Sequence, residues 1–134
     1  MATLIDQDFF TRLRLLNDKF ASGVPATLAR LGTLRAAFDP QVPDARIVAE
    51  LHQILHTIAG SAATFGVRTM GQEARALEQR LRVLMAFDVI AARDWQNWLD
   101  SLDEYRTWAA IDPRADNYHD EDKQRSTGAW AGDV

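Results

Sequence analysis

The sequence predicts an all-α protein, an up-and-down antiparallel four-helix bundle whose N-terminal helical segment is kinked or split. Three observations lead there. Apolar residues recur at three- and four-residue steps through four separate segments. Strand-like alternation is scarce. The connections between segments are short, which favours antiparallel neighbours. At 134 residues the chain is about one domain long and can bury a sufficient core. The expected division is a bundle over 1–112 and a polar tail or linker over 113–134.

The first segment runs from about Asp6 to Phe38, with Phe9, Leu13, Leu16 and Phe20 on one periodic stripe and Leu28, Leu31, Leu34 and Phe38 on another. Ser22-Gly23-Val24-Pro25 lies between them, and a proline there removes a backbone hydrogen bond, so a kink or a break is expected. Asp39 to Pro43 reads as a loop, and Asp44 as the N-cap of a second helix reaching about Phe65, with Gly66 as its stop. Thr69 is the expected cap of a third helix to about Ala86, with Gln72 as capping-box partner. Its buried stripe is Met70, Ala74, Leu77, Leu81 and Leu84. Asp88 is the expected cap of a fourth helix to about Ala110, carrying Ile90, Trp95, Trp98, Leu102, Tyr105 and Trp108. Asp112-Pro113 ends it. From Arg114 onward the chain is polar without a stripe, the pattern of a disordered tail or linker. His119, beside Asp120, Glu121 and Asp122, is expected to be solvated there.

Composition narrows the function. Hydrophobic residues are 47% and charged residues 25% of the chain, close to the soluble average. A net charge of -4 leaves no basic footprint for nucleic acid. No apolar run approaches the roughly 18 residues of a membrane span. The first ten residues, MATLIDQDFF, carry acids where a signal peptide has a basic region, so the expected compartment is cytoplasmic. The absence of cysteine excludes disulfides, thiol catalysis and Cys-based zinc sites.

The second helix carries the chemistry. At about 100° per residue, Ile47, Val48, Leu51, Leu55, Ile58, Ala62 and Phe65 fall in one sector. His56 projects roughly 140° from the middle of that sector, so it stands on the solvent face, flanked by Gln53 and Gly60. A glycine inside an exposed helix costs about 1 kcal/mol relative to alanine. Ala59 and Ala63 beside it are also small. The result is a histidine above a stripe without bulk, where a partner can approach closely. An imidazole with an ordinary pKa of about 6.5 is largely neutral and nucleophilic at pH 7.

His56-Thr57-Ile58-Ala59-Gly60-Ser61, followed by Phe65-Gly66, resembles the H-x-x-K-G-S signature of the histidine phosphotransfer (HPt) family with its glycine ten residues after the histidine. Ala74 and Leu77-Glu78 resemble the A-x-x-L-E continuation on the next helix. The resemblance implies a phosphocarrier of two-component phosphorelays, with no kinase activity and no cofactor of its own. It takes a phosphoryl group from a receiver-domain phospho-aspartate and hands it to another receiver, the Mg²⁺ belonging to that partner. It implies His56 as phosphoacceptor, Gly60 as clearance for the docking receiver and Ser61 as a residue fixing helix geometry. Small and apolar neighbours on this helix and the next form the docking surface. Partners are response-regulator receivers and a hybrid sensor kinase, with the chain itself a monomer. One position departs from the pattern: Ala59 stands where the family often has lysine. Arg68, Arg75 and His52 are the available substitutes, His52 lying one turn before His56.

Two other readings remain open on the residues. One is a docking module of the same fold that binds receivers without transfer. The other is a helical metal-binding protein using His52 and His56, an i, i+4 pair with ligand spacing. Against the latter, Gln53 replaces the glutamate of the metalloprotease motif, and the Glu-x-x-His repeats of di-iron bundles are missing.

Overall fold

The computed structural model describes residues 2–62 and 64–118. Four helices follow one another: α1 (Ala2–Ala37), α2 (Ala45–Ala62), α3 (Arg68–Met85) and α4 (Ala92–Ile111). They pack as α1 on α2, α2 on α3, α3 on α4 and α4 back on α1, closing a bundle. The predicted stripes supply the core: Leu28, Leu31 and Leu34 from α1, Leu51 and Leu55 from α2, Met70, Ala74 and Leu81 from α3, Trp98 and Leu102 from α4. Leu51 is fully enclosed. Leu51→Ala is therefore expected to cost about 2–5 kcal/mol, read as a lower denaturant midpoint with an unchanged slope.

Of the kink or break expected at Pro25, the break does not occur. α1 runs unbroken through it for 36 residues. Proline removes one donor, but Val24 and Leu28 on either side of it are buried in the core, and this packing carries the helix through it. Only the C-terminal part of α1 is matched by the helices of 18 and 20 residues beside it. In its N-terminal part Phe9, Phe10, Leu15 and Leu16 are exposed, so that half of the predicted stripe is not core.

The helix starts show which local signals were realised. Asp44 caps α2 as expected, its Oδ1 accepting from the Arg46 amide at 2.8 Å. The stop at Gly66 also forms. Gly66 has φ +82°, and the Val67 amide reaches back to the Ala62 carbonyl at 2.9 Å, the bond of a Schellman turn. This tight reversal starts α3 one residue before Thr69, with Val67 at the N-cap and no side-chain cap. The capping box of Thr69 and Gln72 is thus not made, and the Thr69 hydroxyl donates to the Asp116 carbonyl instead. Asp88 does not cap α4 either. The linker runs on to Ala91, which takes the N-cap position without a side-chain bond, and Asp94 lies in the first turn.

α4 is fastened to α3 by its aromatic tips. Trp98 Nε1 donates to the Leu77 carbonyl at 3.0 Å, and the Tyr105 hydroxyl to the Met70 carbonyl at 2.9 Å. Burial pushes the Tyr105 phenol well above its ordinary value, so it stays protonated as a donor. The chain does not leave the bundle at Pro113. Arg114 pairs with Asp18 on α1 at 2.8 Å, Trp108 Nε1 donates to the Asn117 carbonyl, and the Tyr118 ring meets Trp108 edge-on at 4.9 Å. The expected tail therefore starts with a short segment packed on the helices. His119 and the rest of the predicted tail lie outside the described residues.

Candidate functional site

The site is built on the flank where α2 meets α3. On α2, Val48, Leu51, Leu55, Ile58 and Ala62 turn inward, which leaves His56 on the rim with its side chain 57% exposed. Its Nδ1 lies 2.5 Å from Oε2 of Glu78, on α3. Glu78 is only 2% exposed and is the one buried charged side chain among the described residues. A carboxylate can only accept hydrogen bonds, so it assigns the proton to Nδ1 of His56. The lone pair then lies on Nε2, the ring nitrogen left without a protein partner among the described residues. Chemically this is an oriented, solvent-facing nucleophile with its tautomer set from beneath.

His52 stands one turn earlier, as its spacing predicts. Its ring lies nearly parallel to that of His56, 13° between planes and 6.1 Å between centroids. Its Nε2 is buried without a hydrogen-bond partner, 4.0 Å from the same Glu78 oxygen. The two histidines thus address one carboxylate. Among the described residues no group of three or more His, Asp or Glu is placed to hold a metal ion.

Gln53 is exposed, and its Nε2 donates to the Thr57 hydroxyl at 3.3 Å. Gly60 is exposed too, and a Cβ built on it meets nothing within 4 Å. No contact among the described residues requires a glycine there. Ser61 donates to the Thr57 carbonyl at 2.7 Å, a bond along the helix in keeping with a local geometric role.

Ala59 departs from expectation. It is 7% exposed and belongs to the core rather than to the open face around His56. α2 packs on α3 here, where the buried α3 residues Gly71 and Ala74 are also small. Ala63 lies outside the described residues. Arg68 and Arg75 are exposed on α3 and make no ion pair among the described residues.

Two features were not singled out in the sequence. Glu78 was legible only as the last letter of the A-x-x-L-E pattern. A lone acid at the edge of an apolar stripe was the available sign that something on the next helix needs it. The second feature is an apolar groove of about 580 Å³ between α1 and α2, bordered by Leu16, Phe20, Val24, Ile54 and Thr57. It flanks His56 on the side away from Glu78. Phe20 and Phe65 stack across its end at 5.3 Å.

A family model described as Hpt domain matches residues 18–108, a span that holds the site and most of all four helices. Among curated proteins and solved structures, none matches the chain.

Proposed function

The chain belongs to the Hpt domain family, and on that premise we propose that it carries a phosphoryl group on Nε2 of His56, taken from a phospho-aspartate of one receiver domain and passed to another. The observation that carries this reading is the exposed imidazole whose Nδ1 is held by buried Glu78. The Nε2 lone pair attacks the phosphorus of the acyl phosphate in line. The N–P bond forms as the bond from phosphorus to the aspartyl oxygen breaks, and the carboxylate leaves. No proton need move, because Nδ1 already holds its own. The phosphorylated ring becomes cationic, and the Glu78 carboxylate balances it. The reverse displacement, by the carboxylate of a second receiver, discharges the carrier.

In this reading the Mg²⁺ and acidic pocket of the transfer belong to the receiver. The contribution of this chain is the nucleophile, its tautomer and room for the approach. The receiver docks over the middle of α2, with the apolar groove on one side and the exposed arginines of α3 on the other. Gly60 is the point of closest approach. Gly60→Ala is therefore expected to have two opposite effects. It stabilises the bundle by about 1 kcal/mol, since the new methyl meets open space. It slows transfer from a receiver about tenfold, since a methyl pressed into a close contact costs about 1–3 kcal/mol. Thermal unfolding and transfer rates on the same preparation check both.

One observation favours a second reading, a module that docks receivers without transfer: no cation stands at Ala59 beside His56. Transfer of radiolabel from a panel of phosphorylated receiver domains separates the two. Acid-labile, base-stable label on this chain supports the carrier. Binding of a receiver with no label supports the docking module. The Hpt family works within phosphorelays, and no helix among the described residues is long and apolar enough to cross a membrane.

A further inference from the structure

A phosphoryl group on His56 brings nearly two negative charges beside the carboxylate of Glu78. On α2 the nearest outward residues are Gln53, Thr57 and Gly60, none of them cationic. The neighbouring helix α3 does carry cations. Its exposed arginines Arg68, Arg75 and Arg82 recur every seven residues, which keeps them on one flank of the helix. None of the three makes an ion pair among the described residues.

The helix register selects one of them. The chain reverses through the Gly66 turn, so α2 and α3 run antiparallel, and His56 faces Glu78. Rise per residue is equal on both helices. Moving three residues toward the turn on each therefore brings Ala59 opposite Arg75. The seam is narrow there, since Ala59, Gly71 and Ala74 are all buried. By this register Arg75 lies one turn from Glu78 on α3, and the α2 residue opposite it is a small one. Moving the other way, Arg82 comes opposite His52, whose ring stacks on that of His56 and stands in its path. Arg68 is farther along, beside the turn. We infer that Arg75 is the phosphoryl-binding cation of this site, its guanidinium closing over the phosphoryl oxygens on His56 from the neighbouring helix. This inference rests on His56 being the carrier residue.

The test loads the full chain with phosphoramidate, a small donor that needs no docking, and follows the phosphoryl group by ³¹P NMR against pH. Arg75→Gln is compared with Arg80→Gln, which removes the same charge from the flank of α3 that faces Tyr118. The cation holds the phosphoryl group in its more ionised form. Arg75→Gln is thus expected to raise its proton affinity about fivefold, the scale of one partly exposed charge-assisted contact. Arg80→Gln is expected to match wild type, and Arg75→Lys, which keeps the charge, to stay near it. A titration of Arg75→Gln that coincides with that of Arg80→Gln overturns the inference and leaves the carrier reading standing. Wild type that takes no phosphoryl group from phosphoramidate or from any receiver overturns both.

Discussion

Glu78→Gln lowers the rate of phosphoryl acceptance by His56 about 10- to 100-fold, the usual scale for removing the carboxylate behind a working imidazole. The cause is the tautomer of the imidazole. The carboxylate accepts from Nδ1 and leaves Nε2 bare. A glutamine of nearly the same shape can offer its N–H to Nδ1, which drives the ring proton onto Nε2 and removes the nucleophile. The same change also leaves the phosphorylated ring without its counter-charge. Stability moves little or rises, because exchanging a buried charge for a neutral isostere removes a desolvation cost. The measurement is an initial rate of label transfer beside a thermal melt. Loss of rate with an unchanged or higher Tm separates a chemical role for Glu78 from a structural one.

His56→Gln abolishes acceptance outright, with no residual label at any receiver concentration. The loss is a loss of chemistry alone. The side chain is largely exposed, and substitutions at such positions move stability by about 0.5 kcal/mol or less. Receiver binding is expected to persist, because the surface around His56 is untouched: the α1–α2 groove, Gly60 and the α3 arginines. A binding measurement on the same variant, by titration calorimetry, keeps the two functions apart. Retained label in this variant would place the acceptor elsewhere on the chain.

Much of this was legible in the sequence, for identifiable physical reasons. Helical periodicity is a pattern of burial, and burial decided the stripes of α2, α3 and α4. The exposure of His56 followed from the same wheel, as did its adjacency to His52. Gly66 and Asp44 were readable because each acts through its own backbone neighbourhood. Signals that depend on tertiary partners were not readable. Thr69 has a capping residue's chemistry, but the Gly66 turn had already begun the helix and a distant carbonyl at Asp116 took its hydroxyl. Pro25 has a breaker's chemistry, yet the core contacts of Val24 and Leu28 carried the helix through it. Ala59 looked like part of an open, small-residue face because a wheel for one helix does not show how closely the next one leans. Glu78 meets His56 only through the register of α3 on α2, and no single-helix pattern contains that register.

The same logic separates the contacts that hold the bundle from those that tune it. The bidentate Arg30–Glu50 pair joins α1 to α2, and the hydrogen bond from Arg30 holds the Glu50 carboxyl below its ordinary range. Being exposed, it contributes little to stability. The tips of Trp98 and Tyr105 on the carbonyls of α3 are buried. They fix the rotation of α3 about its axis, and with it the presentation of Glu78 to His56.

The central claim is that His56 carries phosphate on Nε2 while Glu78 keeps the proton on Nδ1. The most direct measurement is NMR of ¹⁵N-histidine-labelled protein before and after phosphorylation, reading which ring nitrogen holds the proton and which couples to phosphorus. The account predicts Nδ1–H in the free protein, and phosphorus coupled to Nε2 of His56 with the Nδ1 proton retained. Phosphorus on Nδ1 or on a different residue, or a free His56 with its proton on Nε2, would contradict it.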